Sequence, residues 1–591
     1  MDIFGVLTML GGLALFLYGM DAMGNGLSKA SGGKMEQILE KLTSNKLKGV
    51  LLGAIVTAVI QSSSATTVMV VGFVNSGIMK LSQAISIIMG SNVGTTMTAW
   101  ILSLSGVEGD SFFIKMLKPT SFSPILAIIG VVLILFTKSD KKKDIGTILI
   151  GFAILMFGMD TMSGAVKPLA KVPAFTNLFV MFTNPFLGVL VGALVTAVIQ
   201  SSSASVGILQ ALSVTGAITW GSAFPIILGQ NIGTCVTAMI SSIGANKGAR
   251  RTALVHLYFN IVGTFIFLIL FLVVKATMNP AILGETIDAA GIAIVHSAFN
   301  IGATVILLPF SNLLEKLAYM TVKDSPEDYK EEEKEIDETL RALDIRFLEQ
   351  PAYAMTLCKS ASARMATLAK ESIDLSVDLL QSYDEEKATH VMDLENKIDH
   401  FEDEIGNYLM KLSSKDLSEA DSKTLSLLLH GIGDFERISD HASNICKSAK
   451  EKYEKGMNFS TPASIEITTF GNALKEIVSL AVETFINEDL EEAKTVEPLE
   501  DVIDKLNVKM KRRHIERLRQ GACTIEMGFI LSDITTTFER VADHCSNLAV
   551  SVLQKEDGFD SHEYLDTLEK GENSEFRKKY LEYKEKYKLA K

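Results

Sequence analysis

Two regimes of hydrophobic patterning divide the chain. Up to about residue 310 apolar runs dominate; beyond it apolar residues recur every three or four positions among charges, the period of amphipathic helices. Runs long enough to cross a hydrocarbon layer of roughly 30 Å lie near residues 3–23, 81–104, 122–137, 146–163, 218–243, 252–274 and 291–310. Two further apolar stretches, about 47–78 and 186–217, are interrupted by the polar knots Gln61-Ser62-Ser63-Ser64 and Gln200-Ser201-Ser202-Ser203. One helix over such a stretch would measure about 48 Å at roughly 1.5 Å per residue, too long for a single crossing. Folded back at the knot, each arm passes the midplane and returns. The pattern therefore predicts re-entrant helical hairpins with the knots at their tips. Non-helical backbone at that depth is tolerated only inside protein or beside a watery cavity.

The knots belong to a repeat with an offset of 139 residues. Gly53–Ala65 and Gly192–Ala204 match at twelve of thirteen positions, differing only at Ile55 and Leu194. Tyr18–Asp21 matches Phe157–Asp160, and Gly90–Thr95 matches Gly229–Thr234. The glycines, Asn92 and Thr95, and likewise Asn231 and Thr234, suit a helix broken at mid-membrane. Basic clusters at Lys29, Lys34, Lys41, Lys46 and Lys48, at Lys138 and Lys141–Lys143, and at Lys247, Arg250 and Arg251 can all be cytoplasmic. That holds only if the knots do not cross, if the N-terminus is outside, and if the second repeat is inverted.

The fold class expected is thus all-α. A polytopic membrane domain of two inverted repeats with re-entrant hairpins precedes a cytoplasmic helical-bundle domain. Residues 1–140 form repeat 1, and 141–312 form repeat 2 with an additional helix. Residues 313–344 form a linker, within which the acidic run Glu331–Glu335 marks solvated chain or a helix start; 345–556 form the bundle domain and 557–591 a charged tail. Charge sharpens this division. Residues 1–322 hold 19 Lys/Arg and 12 Asp/Glu, net +7; residues 323–591 hold 37 and 57, net −20, recovering the −13 of the whole chain. The five cysteines form no CxxC pair, which suits reduced thiols in a cytoplasmic environment. The first apolar run has no basic residue before it and leads into the repeat, so it reads as a retained helix in an inner, plasma-type membrane.

Around the knots charge nearly vanishes. Residues 172–246 contain no Asp, Glu, Lys, Arg or His, and residues 49–107 only Lys80. What remains is hydroxyls, amides, free carbonyls and helix N-termini. N–H groups and serine hydroxyls suit an oxyanion; amide and hydroxyl oxygens suit a hard cation such as sodium. A multiply charged anion without a basic partner needs co-bound cations, which points to cation-coupled symport. The alternative is that small Ser, Thr and Gly residues only let helices pack closely. Near-verbatim repetition favours function. Asp21 and Asp160 read as solvated helix-end acids, with a cation-related or gating role as the alternative. His256–Asn260 and His296–Asn300 read as interhelical hydrogen-bonding groups, with proton sensitivity as theirs.

The paired QSSSAT and QSSSAS segments resemble the type II sodium–phosphate cotransporter family over residues 1 to about 310. The resemblance implies sodium-coupled movement of inorganic phosphate, with Gln61, Ser62, Ser63 and Ser64 and Gln200, Ser201, Ser202 and Ser203 lining the site. Thr66, Asn92, Thr95, Asn231 and Thr234 join them on the residue chemistry above. The large extracellular loop of animal members is missing; the longest outside loops are near 105–121 and 164–185. Bacterial members of the family suspected of exporting phosphate leave direction open.

After Pro309 the chain reads as long amphipathic helices, broken at Pro351, Gly456 and Pro498, with Gly406 inside a helix. Asp434–Asn444 recurs as Thr537–Asn547. Four Glu-x-x-x-Asp pairs, Glu395/Asp399, Glu436/Asp440, Glu500/Asp504 and Glu539/Asp543, each set two carboxylates on one helical face. Converging, they could hold Mg, Mn, Fe or Zn; ordinary charged faces are the bland alternative. This half resembles PhoU, a phosphate-signalling protein of two three-helix bundles, over about 345–555. Together the halves imply a phosphate transporter with a regulatory domain. A non-transporting membrane phosphate sensor and an exporter are the alternatives. No Ser-His-Asp set, Walker loop or catalytic Cys–His grouping suggests an enzyme. Expected partners are phosphate, sodium, the bilayer and a second copy of the chain, with no nucleic acid.

Overall fold

The computed structural model describes residues 3–31, 45–106, 119–137, 139–172, 184–323, 337–555 and 574–589. The expected loops near 105–121 and 164–185 fall largely outside these residues. Lys34, Lys41, Lys138, the Glu331–Glu335 run and residues 557–573 lie wholly outside them. The chain forms two units, Met1–Tyr353 and Ala354–Lys591. Its architecture is helical, with no strand among the described residues beyond an isolated bridge between Thr219 and Thr286.

In the first unit, α1 (Ile3–Ser31), α2 (Lys46–Ile60), α3 (Ser63–Asn75), α4 (Leu81–Ser103) and α5 (Pro119–Phe136) are followed by their counterparts. These are α6 (Asp140–Val166), α7 (Pro185–Ile199), α8 (Ser202–Ser213), α9 (Trp220–Ser241) and α10 (Lys247–Thr277). α11 (Ala289–Leu307) and α12 (Ser311–Thr321) complete the set. By length and composition, six helical segments among the described residues can cross a membrane: Ile3–Ala30, Leu81–Gly106, Lys141–Leu169, Trp220–Ser241, Lys247–Thr277 and Ala289–Thr321. The run expected at 122–137 is a shorter apolar helix, Ser121–Phe136. Side chains such as Phe136 (79% exposed) and Val198 (83% exposed) stand outward, as apolar groups facing lipid do.

The expected mid-membrane breaks do not occur: α4 and α9 run unbroken through Gly90–Thr95 and Gly229–Thr234. Their glycines serve close approach instead. A Cβ at Gly90 would sit 2.0 Å from the Val50 carbonyl oxygen, and one at Gly229 2.0 Å from that of Val189. The hairpin helices answer in kind, since a Cβ at Gly53 or Gly192 would lie 2.1 Å from the carbonyl oxygen of Ile87 or Ile226. Small residues on both partners seat α2 on α4 and α7 on α9, backbone to backbone. The close-packing explanation therefore holds for these glycines, and the knots are a separate matter.

The second unit comprises α13 (Pro351–Leu379, from its fourth residue), α14 (Glu385–Leu412) and α15 (Glu419–Glu454). α16 (Thr461–Asn487), α17 (Val496–Arg519) and α18 (Ile525–Leu553) repeat the set of three, and α19 (Ser574–Lys586) follows. Pro351 opens a helix, Pro498 sits in a first turn, Gly456 follows a helix end at φ 62°, and Gly406 lies within α14. Phe401, Phe435, Phe470 and Phe538 are fully buried. His544 Nδ1 lies 2.8 Å from Asp434 Oδ1, tying the two copies of the repeated motif together.

Candidate functional site

Each knot is a sharp turn between two helices. Gln61 ends α2 at φ 60°, ψ 21°, and Gln200 ends α7 at φ 60°, ψ 20°. This left-handed conformation is uncommon for a residue with a side chain. It is followed at once by an extended serine, Ser62 or Ser201, whose hydroxyl caps the next helix by accepting from the amide of Ala65 or Ala204. The hairpin that the sequence predicts is thus formed twice with the same dihedral angles. The other first-turn N–H groups of α3 and α8 stay available for an anion.

The two turns meet. Ser64 Oγ donates to the Gln200 carbonyl at 3.3 Å. Around this contact lies a cavity of about 360 Å³ lined by Gln61–Ser64 and Gln200–Ser203, all eight residues that the resemblance assigns to the site. Asp21 lines it too, held by Asn25 Nδ2 at 3.0 Å, whereas Asp160 does not; both acids are exposed. Thr66, Asn92, Thr95, Asn231 and Thr234 are buried but off the lining. Each bonds back to a carbonyl four residues earlier in sequence: Asn92 to Ile88 (3.1 Å), Thr95 to Ser91 (3.0 Å), Asn231 to Ile227 (2.9 Å), Thr234 to Gln230 (3.0 Å), and Thr66 to Ser62 (3.1 Å).

The repeats differ in how their polar atoms are satisfied. Thr57 Oγ1 lies 3.1 Å from Thr66 Oγ1 and 2.9 Å from Ser91 Oγ, and Gln61 Oε1 accepts from Thr98 at 2.9 Å. Gln61 Nε2 reaches the Ala58 carbonyl. The equivalents Thr196 Oγ1, Ser205 Oγ, Gln230 Oε1 and Thr237 Oγ1 are buried without a partner. Unpaired buried oxygens cost about 1–3 kcal/mol each, a cost that the corresponding atoms of the first repeat escape. Thr237 also lines the cavity. The 139-residue offset identifies it as the partner of Thr98, a correspondence that the motif match, ending at Thr234, stops short of.

Sequence reasoning also missed Arg346, Glu349 and Gln350, which line the same cavity. No period or motif announces them, because they lie beyond the last apolar run. His256 and His296 are buried, and their helix mates Asn260 and Asn300 bond to their carbonyls at 3.0 and 2.9 Å. The bonding is therefore mostly within helices; Asn260 Nδ2 to Cys235 Sγ, 3.3 Å, crosses between them.

In the second unit two carboxylate triads form, Asp399/Glu436/Asp440 and Glu500/Asp504/Asp543, each offering oxygens within 4.8 Å of one another. Glu395 and Glu539 stay outside them; Glu539 takes a hydrogen bond from Asn507. Burial, reinforced by Asp440 and Asp399, pushes Glu436 up to about 7. Burial and Asp504 push Glu500 to about 9, and burial with Glu539 and Asp543 takes Asp504 to about 6. Like charges gathered in a partly dry place resist ionisation. A divalent cation would remove that resistance, and an all-oxygen donor set suits Mg or Mn best.

The description Na+/Pi-cotransporter matches residues 15–164 and again 154–301, and the PhoU domain matches 363–449 and 467–552. The "Putative inorganic phosphate export protein YjbB" of Escherichia coli (strain K12) is 24% identical over 557 residues, covering 93% of this chain and 98% of that one. YqeW of Bacillus subtilis (strain 168), uncharacterized, is 31% identical over 311 residues, 52% of this chain and 96% of its own. Sodium-dependent phosphate transport protein 2A of Rattus norvegicus is 40% identical over 98 residues, 16% of this chain and 15% of that one. The chain is a multi-pass membrane protein that belongs to the Na+/Pi-cotransporter family and carries a PhoU domain after its membrane unit.

Proposed function

We propose that this protein moves inorganic phosphate across a membrane together with sodium, by alternating access around the paired knots, and is not an enzyme. The observation that carries the reading is the junction of Ser64 and Gln200, which makes one cavity out of two repeats. The first-turn N–H groups and serine hydroxyls of α3 and α8 receive phosphate oxygens. The partnerless oxygens of Thr196, Ser205, Gln230 and Thr237 suit sodium, whose charge offsets that of the anion. The repeats are taken as inverted, the N-terminus as external and the second unit as cytoplasmic. There the two carboxylate triads would hold a divalent metal whose charge stabilises the fold, and the unit would regulate flux.

Radiolabelled phosphate flux in proteoliposomes tests this. Movement that requires sodium and stops in choline is expected; equal flux in both sinks the coupling. Similarity along 93% of the chain to a protein named for phosphate export favours a second reading, in which net flux is outward. Vesicles loaded inside or outside with phosphate separate the two, and binding without flux in either direction would leave a sensor.

A further inference from the structure

The helices around the knots offer phosphate no cationic side chain, yet the finished cavity has one. We infer that Arg346, delivered by the segment after the linker, is the substrate-binding cation of this site. The inference rests on phosphate being the ligand of the cavity.

Asp344 caps a short turn of helix, Ile345–Glu349, accepting from the Arg346 amide at 2.9 Å. Asn75 of α3 donates to Asp344 at 2.6 Å, and Ser28 of α1 donates to Gln350 Oε1 at 2.7 Å. Phe347 is fully buried against Gly72, where a Cβ would lie 2.9 Å from its ring, and packs on Phe73 and Tyr353 at 5.1 and 5.2 Å between centroids. These contacts fix the segment on α1 and α3, and Arg346 Nε reaches the Ser241 carbonyl at the end of α9 at 2.8 Å. The segment therefore touches both repeats, and its Arg346 lines the same cavity as the knots.

Arg346 has a side chain only 10% exposed and pairs with Asp344 at 2.6 Å. A buried ion pair is a poor source of stability, because desolvation offsets its attraction, so its place on a polar cavity calls for another role. Ser241 and Asp344 engage two of the five N–H groups of a guanidinium. The planar fork can thus stay pinned and still present donors to an oxyanion, the geometry in which arginine binds phosphate. Among the described residues of the lining, Arg346 is the one cation; Asp21 and Glu349 are the acids. Such a wall gives phosphate its counter-charge at the guanidinium, apart from the orphan oxygens of the second repeat that suit sodium.

The test uses the full chain in proteoliposomes, with phosphate and sodium titrated separately and equilibrium phosphate binding measured alongside. Arg346→Gln should raise the phosphate KM by about tenfold or more, the scale of a charge-assisted bidentate contact, with sodium half-saturation within about twofold of wild type. Arg346→Lys should restore part of the affinity, keeping charge but not the fork. If Arg346→Gln does not fold, the Lys variant alone carries the KM criterion. An unchanged phosphate KM, or equal losses for both ions, overturns the inference while leaving sodium–phosphate transport standing. Wild-type protein that neither binds nor moves phosphate overturns both.

Discussion

Thr98 donates to Gln61 at 2.9 Å, while Thr237, its counterpart in the second repeat, keeps a buried hydroxyl without a partner beside Gln200 on the cavity wall. Two nearly identical sequences have thus settled into different hydrogen-bonding states. One locks its turn; the other holds its oxygens in reserve. The alternating access proposed above would draw on this inequality, since a symmetric molecule could not be closed on one side and receptive on the other.

The Thr98/Thr237 contrast predicts opposite phenotypes. Thr98→Val strands the Gln61 oxygen and should cost about 1–3 kcal/mol of stability, seen as a lowered unfolding midpoint. Thr237→Val removes an orphan and should leave that midpoint unchanged or raise it, while weakening sodium or phosphate binding. Matching effects of the two variants on both readouts would contradict the asymmetry.

Ser63 and Ser202 open the helices whose first turns face the cavity. Ser63→Ala or Ser202→Ala should weaken phosphate or sodium affinity by about fivefold, the worth of a hydrogen bond of about 1 kcal/mol, with the unfolding midpoint held. Titration of both ions in either variant at wild-type affinities would remove these serines from the site.

Gly53 and Gly192 should tolerate no side chain. With a Cβ only 2.1 Å from a backbone oxygen, alanine forces α2 from α4 or α7 from α9, at a cost of about 1–3 kcal/mol or more. Gly11→Ala, with nothing within 4 Å, is the control and should be neutral. Thermal unfolding in detergent distinguishes them.

The carboxylate triads predict a pH dependence of the second unit. Glu436 and Glu500 have folded-state values raised from the ordinary 4.5 to about 7 and about 9, so the folded state binds more protons than the unfolded one. Stability is then greatest below the ordinary carboxylate range and falls as pH climbs toward 7 and then 9. In chelator the unfolding midpoint should drop between pH 5 and pH 8. Manganese or magnesium should restore it, and Glu500→Gln should flatten the profile. A midpoint indifferent to both pH and metal would mean ordinary charged faces.

Much of this was legible because repetition and hydropathy are properties of the line of residues. The hairpins follow from 32-residue apolar stretches broken by Gln-Ser-Ser-Ser, and the meeting of Ser64 with Gln200 fits the repeat. The continuity of α4 and α9 was not legible, since a glycine that breaks a helix and one that admits a neighbouring backbone look alike until the neighbour is known. Gly90 against Val50 settles it. Arg346 was hidden for a different reason. Its role comes from Phe347 seated at Gly72 and from Ser241, contacts spanning more than 100 residues that no local pattern encodes. The triads were half legible: Glu-x-x-x-Asp spacing brought out the carboxylates, but the third member of each cluster depends on how the helices turn toward one another.

The seating of Phe347 also bears on how the molecule is made. Among the described residues, the helices long and apolar enough to cross a membrane all precede residue 322, yet the cavity acquires Arg346, Glu349 and Gln350 only afterwards. The notch at Gly72 and Phe73 is therefore filled by a residue, Phe347, that follows the apolar helices in chain order. On the proposed function, a chain cut short before residue 346 would keep its apolar helices and its paired knots but lack the cavity's one cationic side chain among the described residues.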